Sequence, residues 1–126
     1  MKTAREVLDR AMQLCGYLND EGAPDRLRDA DLYKRGLALV NQIYTDMFFA
    51  ETPDGAFRPL TSMEEAIPLS VRCVNDILPF GVAMLLAQAV GDATAQSLFS
   101  YAYNQKRAGG VKRTQHIADK LPRGEW

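Results

Sequence analysis

The side chains that could do chemistry in this chain are few and badly placed for it. The only histidine, His116, lies beyond a double glycine in a basic C-terminal stretch. A lone imidazole there has no nucleophile and no orienting acid at a recognisable spacing. Two acid pairs, Glu6 with Asp9 and Glu51 with Asp54, have the offset that puts both carboxylates on one helix face. Thr3-x-x-Glu6 reads as a capping box, which already uses Glu6, and the second pair falls among Pro53 and Gly55, where no helix fits. A Mg²⁺ cage needs more acids than this on facing helices. Cys15 and Cys73 stand far apart on apolar stretches with no CxxC spacing, so they read as buried thiols of a reducing compartment. Neither GxxxxGK[ST] nor GxGxxG is present to cradle a phosphate. The expectation is a protein that is not an enzyme, with no metal and no cofactor.

Binding offers more. Lys106, Arg107, Lys112, Arg113, Lys120 and Arg123 give the last 21 residues a balance of +4, whereas residues 1–105 stand at −5. A basic arm could contact DNA phosphates without exact geometry, or dock on an acidic protein surface. Trp126 favours protein docking, because an indole at a free chain end is a poor arrangement unless a partner's pocket takes it. Tyr44, Phe48, Phe49 and Phe57 form a candidate aromatic cluster that reads as core, since Arg58 is the one basic residue interleaved with it.

The elements that position these residues read as helices throughout. Behind the Thr3 cap, Ala4, Val7, Leu8, Ala11, Met12 and Cys15 recur at helical spacing until Gly16. After a turn-rich stretch, NDEGAPDRLR, a second helix starts near Asp29 or Asp31. Its stripe runs through Leu32, Gly36, Leu37, Val40, Ile43, Tyr44, Met47 and Phe48, with Gly36 permitting close helix approach. Residues 51–69 hold Pro53, Pro59 and Pro68 and predict a long loop, with Ser62-x-x-Glu65 capping at most one turn. Such loops tend to be functional, so Phe57, Arg58, Leu60 and Met63 are candidate contacts to another subunit or a partner.

Ser70 can cap a short helix through Val71, Val74 and Ile77, which Pro79 then kinks or restarts. From Pro79 to Val90 the run PFGVAMLLAQAV has Gln88 as its one polar side chain. It is too short for a bilayer, which takes about 20 residues. It must therefore be a hub covered on several sides, with Phe80, Val82, Met84, Leu85 and Leu86 buried. Asp92 caps a last helix with a stripe of Ala95, Leu98, Phe99, Ala102 and Tyr103, ending near Arg107 before Gly109-Gly110. The rest, residues 111–126, has too little apolar content to pack alone and is expected to be flexible.

The whole predicts an all-α, single-domain bundle of four main helices over residues 1–108, with a Pro-rich loop and a basic tail over 109–126. The 47% apolar and 25% charged content is ordinary for one globular domain. No charged n-region followed by an apolar run opens the chain, so the expectation is synthesis in a cytoplasm with no membrane contact.

Four segments in this order, IYTDMFF, FRPLTSMEEAIPL, ILPFGVAMLLAQAVGD and FSYAYNQKRAGG, resemble the head-tail connector proteins of tailed bacteriophages and prophages. These are also called head-completion or portal-adaptor proteins and include the accessory DNA-stabilisation type. The resemblance implies a helical bundle made in the bacterial host cytoplasm that self-associates into a ring on the portal protein at the head-tail junction of the virion. There it would seal packaged DNA and offer a platform to the tail, with an arm corresponding to Lys106–Trp126 embracing the portal. The alternative reading is a small DNA-binding regulator that uses the basic tail.

Overall fold

The computed structural model describes residues 2–17 and 30–119, the stretch 110–119 as backbone only. Among the described residues the fold is an all-α bundle of four helices: α1 (Ala4–Leu14), α2 (Ala30–Glu51), α3 (Leu78–Ala89) and α4 (Ala93–Asp119). A π-helical segment, Cys73–Ile77, leads directly into α3. Among the described residues there is no strand beyond an isolated bridge between Thr3 and Ala66.

Local chemistry sets the boundaries. Thr3 forms the expected capping box: its Oγ1 accepts from Glu6 N at 3.2 Å, and Thr3 N donates to Glu6 Oε1 at 2.8 Å. The ends of α1 and α3 are built alike. Gly16 (φ +84°) and Gly91 (φ +76°) take the left-handed conformation that an L side chain resists. Around them Tyr17 N donates to Met12 O and Asp92 N to Ala87 O, both at 2.9 Å, so each glycine closes a Schellman motif. Asp92 then turns from closing α3 to opening α4, its Oδ1 accepting from Ala95 N at 3.0 Å.

Pro79 explains the π segment. A proline inside a helix cannot donate to the carbonyl four residues back, and its ring crowds that carbonyl. Here the preceding turn widens: Leu78 N reaches back to Cys73 O, five residues away, and Pro79 falls in the first turn of α3. The segment is thus restarted at Pro79 rather than broken, with Ser70 Oγ accepting from Cys73 N at 3.2 Å as its cap.

α3 is the hub. It packs against α1, α2 and α4, and Val82, Leu85 and Leu86 are buried in one core with Leu8, Met12, Ile43, Met47 and Tyr103. Phe80 and Met84 are only half-buried at its margin, a departure from the all-round burial expected of them. Helices approach closely at Gly81, where a Cβ would lie 2.7 Å from Ile43 Cγ2 and 2.8 Å from the Tyr103 ring. Gly36 likewise leaves room for Leu8.

Two expectations fail on α4. Leu98 is 66% exposed, because the inward face runs through Phe99, Ala102 and Tyr103, and a neighbour one residue earlier points about 100° away. The helix also continues through Gly109-Gly110 to Asp119. Gly109 keeps φ out of the left-handed region that Gly16 and Gly91 occupy. Glycine in a helix interior costs about 1 kcal/mol against alanine but does not forbid the helix.

Candidate functional site

Of the basic residues expected to meet a partner, the first two are engaged inside the bundle. Lys106 Nζ pairs with Asp76 Oδ1 at 2.8 Å and lies 4.7 Å from the centre of the Phe80 ring, joining α4 to the π segment and α3. Arg107 meets Asp46 of α2: Nη2 donates to Oδ1 at 3.1 Å, while Nε stands 2.9 Å from Oδ2 without a hydrogen bond of its own. Tyr103 Oη donates to the same Oδ2 at 2.5 Å. Burial, then the hydrogen bond to Asp46, pushes the Tyr103 phenol far above its ordinary pKa, so it acts as a fixed donor and not as an acid. These pairs are part-exposed, where ion pairs contribute about 1 kcal/mol or less. Their effect is to clamp α4 at one turn.

Lys112 and Arg113 lie on the continuing backbone of α4. Lys120, Arg123 and Trp126 lie outside the described residues.

The Pro-rich loop is stitched down at both ends of its course. Ala4 N donates to Glu65 O at 3.1 Å and Arg5 N to Met63 O at 2.8 Å, so the loop supplies acceptors to the open N–H groups of α1. Ile67 N donates to Lys2 O at 2.9 Å, and Arg5 Nε reaches Glu64 Oε2 at 2.7 Å. From α2, the Asn41 amide brackets Leu60: its Oδ1 accepts from Leu60 N at 2.8 Å, and its Nδ2 donates to Leu60 O at 2.9 Å. Ser62-x-x-Glu65 starts no helix; Glu65 Oε1 instead accepts from Thr61 N at 2.8 Å.

The four loop residues expected to face a partner therefore divide. Leu60 is buried in the core, a correction that follows from the Asn41 bracket pulling its backbone inward. Met63 and Phe57 are half-buried against the core, and Arg58 is exposed. Phe57 closes the aromatic cluster on Tyr44, Phe48 and Phe49, with ring centres 5.1 to 5.7 Å away. Tyr44 is buried and Phe49 is 44% exposed, so the cluster runs from the core out to the surface.

Among the described residues, no group of three or more His, Cys, Asp or Glu could hold a metal ion, and no helix is long and apolar enough to cross a membrane. Glu6 is taken by the cap and Asp9 accepts from Tyr33 Oη at 2.6 Å. Both cysteines are free thiols. Burial pushes Cys73 up to about 12 and Cys15 up to about 11, opposite to what a nucleophile requires.

The residues that sequence reasoning missed are Asp46, Asp76, Asn41 and Gly81. Asp46 and Asn41 sit on the polar side of α2, where charge and amide read as solvated. Their one signal was that this side faces Tyr103 and Leu60, which only the tertiary arrangement reveals.

Comparison with protein-family models, with curated proteins and with solved structures found no match.

Proposed function

We propose that this protein is a non-enzymatic head-tail connector of a tailed phage or prophage, which docks under the portal, seals packaged DNA and forms a platform for the tail. The observation that carries the reading is α4. It is 27 residues long against 12 for the hub helix it packs on, and its last described side-chain contacts to the bundle are Lys106 and Arg107. Beyond them the helix continues with Lys112 and Arg113 and leads to Lys120, Arg123 and Trp126. An extended basic terminus on an acidic bundle suits an arm that a larger assembly receives. The segments quoted above as resembling connector proteins support the same reading, as do Leu98 and Tyr101, exposed on α4 at 66% and 68%, for self-association into a ring.

The test is assembly. The full chain, mixed with the portal protein encoded in the same genome, should form a ring on the portal visible by electron microscopy. A chain cut after Ala108 should stay folded and lose that binding. Unchanged assembly of the truncated chain would remove the arm from the mechanism. If neither form binds the portal and the full chain instead binds duplex DNA with steep salt dependence, the protein is the small DNA-binding regulator.

A further inference from the structure

The first half of α4 carries no charge. From Ala93 to Gln105 no residue is Asp, Glu, Lys or Arg, in a chain that is 25% charged. The exposed sides of the two preceding long elements differ: α1 shows Glu6 and Arg10 to solvent, and α2 shows Asp31, Lys34 and Arg35. On α4 the exposed positions Thr94, Ser97, Leu98, Tyr101, Asn104 and Gln105 fall within one stripe, because steps of three and four residues return to the same helix face. Leu98 and Tyr101 sit at its middle, 66% and 68% exposed.

Two features select a second copy of the chain as what covers this stripe. Its centre lies midway between Leu98 and Tyr101, so an antiparallel helix related by a two-fold axis there sets Leu98 against Tyr101 and Thr94 against Gln105. Apolar then meets apolar and polar meets polar. Charge acts in the same direction. Near a two-fold axis a side chain meets its own copy, so a charge there would face its like, and this stripe of the acidic bundle has none. Asp92 stands at one end of the stripe, and Lys106 and Arg107 at the other. Antiparallel copies bring the acidic end of each to the basic end of the other, where parallel copies would set Asp92 on Asp92. Lys106 and Arg107 are already paired within the bundle, so this is a bias of end against end and not a new ion pair.

We propose that two copies of this chain pair antiparallel through α4, with Leu98 of each on Tyr101 of the other and Thr94 opposite Gln105. The stripe is about 20 Å long and a helix about 10 Å across, well short of the roughly 800 Å² per partner of a standard interface, so the pair is weak and concentration-dependent. It describes the free chain and does not rest on the connector reading; a ring on the portal would reuse this face only after the pair separates.

The experiment is sedimentation of the full chain alone, over about 10 μM to 1 mM, where weak interfaces associate. A monomer–dimer equilibrium is expected. Tyr101→Lys and Leu98→Lys, at exposed positions, should keep the thermal midpoint and weaken the dimer about tenfold or more. For orientation, Thr94→Cys chains mixed with Gln105→Cys chains should cross-link to each other through a short bismaleimide, and neither to itself. A monomer at every concentration, a dimer indifferent to both lysine variants, assembly beyond the dimer through this face, or like-with-like cross-linking would each overturn the proposal. None of these outcomes depends on whether the chain binds a portal.

Discussion

Tyr103 on α4 donates a 2.5 Å hydrogen bond to Asp46 on α2, and Arg107, one turn further along α4, lies against the same carboxylate. A charged acceptor shared by a phenol and a guanidinium fixes the rotation of α4 as well as its distance from α2. Tyr103→Phe keeps the buried ring and removes only the donor. A hydrogen bond to a charged group contributes about 1.5–3 kcal/mol, and since Asp46 is part-exposed the lower end applies. Urea denaturation should show a loss of about 1–2 kcal/mol with an unchanged slope; equal midpoints would mean the bond adds nothing.

The two buried glycines should respond differently to a methyl group. At Gly81 the added Cβ meets Ile43 on one side and the Tyr103 ring on the other. Overpacking of that kind costs about 1–3 kcal/mol, enough to exceed the roughly 1 kcal/mol gained in helix propensity. At Gly36 it meets only the end of Leu8. Thermal unfolding should rank Gly81→Ala clearly below Gly36→Ala, and the reverse order would contradict the crossing described for α3.

How much of this was open to sequence reading depends on the range of the interaction. The Thr3 cap, the Gly16 and Gly91 stops, Asp92 opening α4 and the apolar hub all rest on contacts within one turn, and each was legible. Long-range choices were not. Lys106 and Arg107 looked like the beginning of a basic tail because charge runs usually face solvent, yet Asp46 and Asp76 approach them from distant segments. Leu60 looked like part of an exposed arm, and only Asn41 on α2 draws it in. Gly109-Gly110 has the composition of a stop without the positive φ or the closing bonds that make one at Gly16.

The thiols should be slow. With Cys73 held near 12 and Cys15 near 11 by burial, little thiolate exists at neutral pH. A disulfide reagent at pH 8 should modify both far more slowly than a free cysteine, Cys15 ahead of the fully buried Cys73. Rapid labelling of Cys73 in native buffer would mean that the hub opens readily.

Acid should loosen the start of α1. The Thr3 N–H holds the Glu6 carboxyl below its ordinary value, and the Thr61 N–H does the same for Glu65. Each depressed acid stabilises the fold above its unfolded value of 4.5, and that contribution disappears as pH falls through the lower folded value. The thermal midpoint should therefore fall as pH drops below about 4.5. Part of the slope should vanish in a Glu6→Gln, Glu65→Gln variant, whereas identical profiles would leave these two carboxylates without a role in acid sensitivity.

The stitching of the loop onto α1 also dictates an order of events during synthesis. Thr3 and Glu6 leave the ribosome together, so the capping box is available at once. The acceptors for Ala4 and Arg5 belong to Glu65 and Met63 and emerge only after the whole of α2. A short isolated helix is marginal in water, and closing so long a loop slows the contacts that complete it. The helix α1 is thus among the last elements to be finished, and a chain ending before residue 63 would contain all the residues of α2 yet lack the acceptors for Ala4 and Arg5, leaving the opening turn of α1 to exchange its amide protons with solvent.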